Sequence, residues 1–140
     1  MKFKILTILL ISIGIGCLFT AFKRQETGQV YFIRSTNSIG SMVPYKVYID
    51  DQVVCNLKNK RYSMHSIAAG EHTVAISNTG LSNHSKSRPL KINVVADKNN
   101  YLVVINGSPV YLQETVESSA QELLKRVAAT TKCLPSDKKK

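Results

Sequence analysis

Several residue types are scarce in this 140-residue chain, and each scarcity excludes something. There is no tryptophan, and the six tyrosines and four phenylalanines are scattered rather than set in a repeated box. That speaks against a stacking platform for nucleic-acid bases. Histidine and cysteine occur three times each, without the clustered spacing of a structural metal site. No cofactor or metal ligand set is therefore expected. Acidic residues number nine against nineteen basic ones, and the only adjacent carboxylates are Asp50 and Asp51. Neighbouring residues at a strand end diverge, so this pair reads as turn chemistry rather than an acid–base couple. Ser38-Ile39-Gly40-Ser41 has nothing of a nucleophile elbow, and no phosphate loop is present. The length also excludes a dehydrogenase, a barrel enzyme or a two-domain kinase. No enzyme is expected.

The net charge of +10 is not concentrated. The excess is +3 in residues 1–27, +5 in residues 28–113 and +2 in residues 114–140. Only Lys138-Lys139-Lys140 forms a run, so no nucleic-acid partner is expected and a weak attraction to anionic headgroups fits better.

What the chain does have is a leader. Lys2 and Lys4 precede a continuous apolar block, residues 5–22, that is apolar on every face. Three readings compete. A cleaved secretory signal would need small residues where Phe19-Thr20-Ala21 stands. An uncleaved anchor would have 18 residues, close to the minimum membrane span. The segment Gly14-Ile15-Gly16-Cys17 resembles the bacterial lipobox, with Gly14 where the pattern wants Leu. Lipidation at Cys17 is the preferred reading, with the single-pass anchor as the alternative. Either way the protein is held at the cell membrane by its N-terminus, its domain facing the periplasm or exterior. Residues 23–27 read as a linker.

From residue 28 to 116 the period is two. Strands are expected around Gln29, Tyr45, Gln52, Arg61, Glu71, Leu90, Tyr101 and Val110, at the spacing of an antiparallel β-sandwich of seven or eight strands. Residues 117–131 then read as one C-terminal amphipathic helix with Ala120, Leu123, Leu124, Val127 and Ala128 on one face. Ser119-Ala120-Gln121-Glu122 has the form of its capping box. A basic tail, residues 132–140, follows. Cys55 shares the inward phase of Val53 and Leu57, which favours a small buried hydrophobe over a bridge to Cys133.

The order of Val30-Tyr31-Phe32-Ile33-Arg34, Tyr45-Lys46-Val47-Tyr48-Ile49-Asp50, Gly70-Glu71-His72 and a Leu/Val-rich ending before a helix resembles a family of uncharacterised bacterial domains often found behind lipoprotein signals. The Asp turn and Gly-Glu-His portion is also similar to the short β repeats known as PEGA domains. The resemblance spans about residues 28–127. Its motifs are structural, so it implies a scaffold and carries no activity over. The family pattern has Gly where this chain has Asp51, which leaves the turn type open.

Two loops, residues 35–44 and 78–88, are longer than hairpins require. The first offers Asn37, Ser41 and Met42, and the second His84, Lys86 and Arg88, suited to an anionic or sugar-like partner. The expected function is a membrane-tethered, extracytoplasmic binding or assembly module for an envelope protein or glycan. The alternative is a purely structural cell-envelope subunit.

Overall fold

The computed structural model describes residues 25–36, 42–78, 86–130 and 133. The leader with Cys17, and Asn37, Ser41 and His84, lie outside them. Among the described residues no helix is long and apolar enough to cross a membrane.

The strands are β1 (Thr27–Arg34), β2 (Tyr45–Ile49), β3 (Gln52–Leu57), β4 (Arg61–Ala68), β5 (Gly70–Asn78), β6 (Leu90–Val94), β7 (Asn99–Ile105), β8 (Tyr111–Thr115) and the two-residue β9 (Ala128–Ala129). One helix, α1 (Glu117–Leu124), lies between β8 and β9. One sheet runs β8-β7-β1-β4-β9 and the other β3-β2-β5-β6. The fold is a β-sandwich with a C-terminal helix, as the alternating pattern implies. Most neighbours are antiparallel, but β1 pairs with β7 and β4 with β9 in parallel. Both parallel partners are reached only after the chain has crossed to another element, where a hairpin cannot dictate direction.

Period-two burial builds the interior. Val30 and Phe32 of β1 face Val47 of β2, Leu57 of β3, Ile76 of β5 and Leu102 of β7, all shut off from solvent. Each such side chain contributes roughly 1.5–3 kcal/mol when fully buried. A register shift opposite Val47 and Tyr48 sets Val54, rather than Val53, against this core.

The helix starts at the expected residue but departs from expectation in its cap and its length. It begins at Glu117 with Val116 as N-cap and no side-chain cap, so the anticipated box at Ser119 and Glu122 is not used. A single residue separates β8 from the helix, and Tyr101 donates its hydroxyl to the Glu117 carboxylate, holding the start at Glu117. It stops at Leu124 instead of continuing to residue 131. The Arg126 and Val127 amides bond back to Leu123 and Leu124, a tightened last turn. Ala128 and Thr130 then donate to Lys60 and Tyr62, so the backbone finds its partners in β4 rather than in a further helical turn. Finally, Leu123 and Leu124 are only partly buried. With Ala120 they pack over Ile33 and Tyr101 on the outer face of the larger sheet.

Past β9 the chain reaches β3. Cys55 is fully buried, as its phase requires, yet it is bonded to Cys133 rather than free. The inward phase is satisfied equally by a thiol and by a half-cystine, so it could not separate them. The bridge closes a separation of 78 residues. A loop of that size carries a stabilisation of about 2–4 kcal/mol.

Candidate functional site

The two ends of the sandwich are built differently, and strand direction assigns them. β1 starts at Thr27, where the N-terminal segment joins, and ends at Arg34. At about 3.3 Å per residue its eight residues span about 26 Å. The far end gathers residues 35–36 and 42–44, the β3–β4 turn, residues 87–89 and the β7–β8 turn.

Arg34 organises this far end. It is the one charged side chain with no exposed surface among the described residues. Its Nη1 donates to the carbonyls of Val43 at 2.8 Å and Leu57 at 2.9 Å, joining the ends of β1 and β3 to the start of β2. Its guanidinium lies 3.7 Å from the centre of the Tyr45 ring. Burial lowers its pKa from the usual arginine value, and the Tyr45 hydroxyl opposes that shift. Tyr45 in turn reaches Asn106 Oδ1 through its hydroxyl, at 3.4 Å. Nearby, the Asn59 side chain pairs with Thr36 as a strand residue would, donating to its carbonyl at 2.7 Å and accepting from its amide at 3.0 Å.

Two adjoining clefts open at this end, sharing the turn residues Gly107, Ser108, Pro109 and Val110. One, of about 360 Å³, is bounded by Tyr45, Asn78 and Asn106. The other, of about 480 Å³, is bounded by Arg88, Pro89, Leu90, Tyr111 and Leu112. Amides, aromatic rings and one guanidinium make a lining that can hydrogen-bond and stack on a polar ligand.

Of the loop residues singled out from the sequence, Arg88 lines the larger cleft. Lys86 is placed elsewhere. Its ammonium sits 4.4 Å from the Tyr48 ring centre and pairs with Asp51. Between them Ser87 is buried, exchanging backbone and hydroxyl bonds with Ile76. That inward turn sends its two neighbours to different faces. Met42 is almost fully exposed. Tyr45, Asn106 and Tyr111 were not singled out from the sequence. Asn106-Gly107-Ser108 shows there only as a formal glycosylation sequon, and Tyr45 only as a strand residue.

At the near end, Asp50 and Asp51 both take positive φ, +47° and +64°, the two-residue hairpin turn of type I′. Their carboxylates diverge. The Asp50 carboxylate accepts from the Thr73 amide at 2.9 Å and from His72 Nδ1 at 2.6 Å, while Asp51 pairs with Lys86. The Thr73 amide first and His72 second hold the Asp50 carboxyl below its ordinary value. The same bond to Asp50 raises His72. His72 also bonds the Ala68 carbonyl through Nε2 at 2.9 Å. This is a structural clasp, in keeping with its exposed turn.

The fold is a β-sandwich with two clefts at one end. No protein-family model matches the chain, and no curated protein matches it.

Proposed function

We propose that the chain is a membrane-tethered, extracytoplasmic binding or assembly module that engages its partner through the end of the sandwich opposite its N-terminal attachment. The observation that carries this reading is directional. β1 runs from the joining point at Thr27 to Arg34, so the clefts around Tyr45, Asn106, Arg88 and Tyr111 stand at the far end. The leader supplies the tether and Cys17 its lipid. The Cys55–Cys133 bridge suits an oxidising compartment. The smaller cleft, with Asn78, Asn106 and Tyr45, suits an envelope glycan, while the larger, with Pro89, Leu90 and Leu112 beside Arg88 and Tyr111, offers an apolar surface to a protein or a sugar face.

A photoreactive residue placed at Tyr111, in the full chain in its native membrane, should capture a partner. The same residue at Glu71, near the other end, should not. Replacing Arg88 with Ser should weaken the capture at Tyr111 without changing the fold. Equal capture from both positions would defeat the directional reading.

A further inference from the structure

We infer that Cys55, Cys133 and His65 form a binding site for a soft monovalent metal ion, Cu(I), when the disulfide is reduced. The two sulfurs and a ring nitrogen of His65 lie within 4.8 Å of one another. Among the described residues no other group of three such donors comes together. This inference is independent of the loop-end binding reading.

The three donors arrive from three parts of the chain. Cys55 lies on β3, at the border of the smaller sheet, with its side chain fully buried. His65 lies on β4 of the other sheet, whose Ser63 and Ile67 share its inward phase. Cys133 follows β9, and the Asn56 amide bonds its carbonyl at 3.5 Å. The site therefore closes the sandwich where β3 and β4 face each other.

His65 is the second observation. Its Nε2 is shut off from solvent and has no hydrogen-bond partner among the described residues. Buried ring nitrogens are ordinarily satisfied, and His65 thus has a ring nitrogen with a lone pair or proton uncommitted to any hydrogen bond. Burial also favours the neutral ring, the form that ligates. Phe32 contacts the ring edge-on, which holds its orientation.

The donor set selects the ion. Two thiolates and an imidazole are soft, and soft sets select Cu(I) and zinc. Zinc held by three protein donors needs a water to complete its tetrahedron, whereas Cu(I) is complete with the three donors found here. A three-donor thiolate site suits Cu(I).

In the present structure the sulfurs are bonded to each other, so loading requires a reductant. A dithiol of a partner protein or small molecule would attack Cys133, the more exposed of the two sulfurs, and release Cys55 as thiolate. The donor's second thiol then displaces Cys133 and leaves as the donor's own disulfide. Two electrons pass to the Cys55–Cys133 pair. Cu(I) then binds with loss of the two thiol protons.

The test uses the full chain in detergent, carrying Cys17→Ser so that no other thiol competes. The chain is reduced with a dithiol under anaerobic conditions and titrated with Cu(I) against a chromogenic chelator. We expect one Cu(I) per reduced chain, none in the oxidised chain, and an X-ray absorption spectrum with two sulfurs and one nitrogen. His65→Gln should lose the nitrogen and bind at least about tenfold more weakly. Unaltered affinity in that variant, a spectrum without nitrogen, or tighter uptake of Zn(II) than Cu(I) would overturn the assignment. So would loss of the sheet signal in circular dichroism on reduction, because the site needs His65 held opposite β3.

Discussion

The two ends of the sandwich solve the same problem, closing a set of strands, by opposite means. At the end where the chain joins β1, closure is by short turns that are tied down tightly. The β2–β3 turn is two residues long, the Asp50 carboxylate clasps His72 and Thr73, and the turn after β6 bonds straight back to β1, Asp97 to Thr27 and Gln29 to Lys98. At the far end two of the connections are about ten residues long, and side chains clamp their bases. Arg34 reaches Leu57, Thr36 pairs with Asn59, Tyr45 meets Asn106, and the C-terminal segment is bridged to Cys55. The near end also holds a cleft, of about 390 Å³ between Gln25, Glu26, Thr27, Ala96 and Asp97, so what sets the far end apart is the length of its loops. An end made of long loops clamped from below can vary its surface while its base stays fixed.

Removing the clamp should break the far end most severely. Arg34→Ala would leave the Val43 and Leu57 carbonyls without their donor and would strip the Tyr45 ring of its stacked cation. Two buried acceptors at roughly 1–3 kcal/mol each, with the packing of the stem, give an expected loss of about 3–5 kcal/mol. Denaturant unfolding of the variant checks this. Lys at the same position should recover little, because a point charge does not replace a planar fork. A loss under about 1 kcal/mol would mean that the loops support themselves.

The near end should break through crowding instead. Gly28 has backbone on either side, and a Cβ there would stand 2.4 Å from the Val95 carbonyl and 3.0 Å from that of Lys98. The same turn is pinned to β1 by the Asp97 and Gln29 amides, so it has no room to retreat. Gly28→Ala should cost about 1–3 kcal/mol, the usual penalty of overpacking. Because the strain is confined to the near end, capture at Tyr111 should persist in the folded variant. Loss of capture in a folded Gly28→Ala chain would show that the ends are coupled.

This contrast also explains what could be read from sequence. Near-end features carry local signatures. Two adjacent aspartates between alternating runs announce a hairpin, and the Gly-Glu-His start of β5 announces a polar clasp. The strands were legible for the same reason, since burial alternates with the pleat whatever lies opposite. Far-end features rest on side chains with no local signature. Arg34 occupies an inward phase that Val30 and Phe32 mark as apolar, so a pattern alone cannot explain its charge. The early stop of α1 depends on Lys60 and Tyr62 offering carbonyls, and the bridge depends on β9 carrying Cys133 back to β3. The Cys–His cluster was missed on the same ground, because His65 meets the sulfurs only once both sheets and the C-terminal segment are in place.

The smallest effect expected is the pH dependence of the near-end clasp. His72 holds its proton more tightly in the folded chain than the ordinary value of 6.5, because Asp50 accepts its hydrogen bond. Its contribution is therefore fully present below 6.5 and fades as pH rises through the raised folded value. Asp50 is shifted the other way, chiefly by the Thr73 amide and next by His72, from an ordinary value of 3.8. Its contribution is present above 3.8 and fades as pH falls through the depressed folded value. The clasp is thus complete between these limits and weakens on the alkaline side first. His65 works against it, since burial lowers its pKa and disfavours folding as the ring is charged in acid. Comparing wild type with Asp50→Asn cancels that contribution. Asn tolerates the positive φ of the turn but removes the charge that holds the His72 proton. The melting temperature of wild type, relative to the variant, should be highest near about pH 5 and should shrink towards about pH 8. The Asp50 side chain is half exposed, so solvent screens the pair and the difference should stay small. A difference that does not change across that range would show that the clasp acts through the Thr73 amide alone.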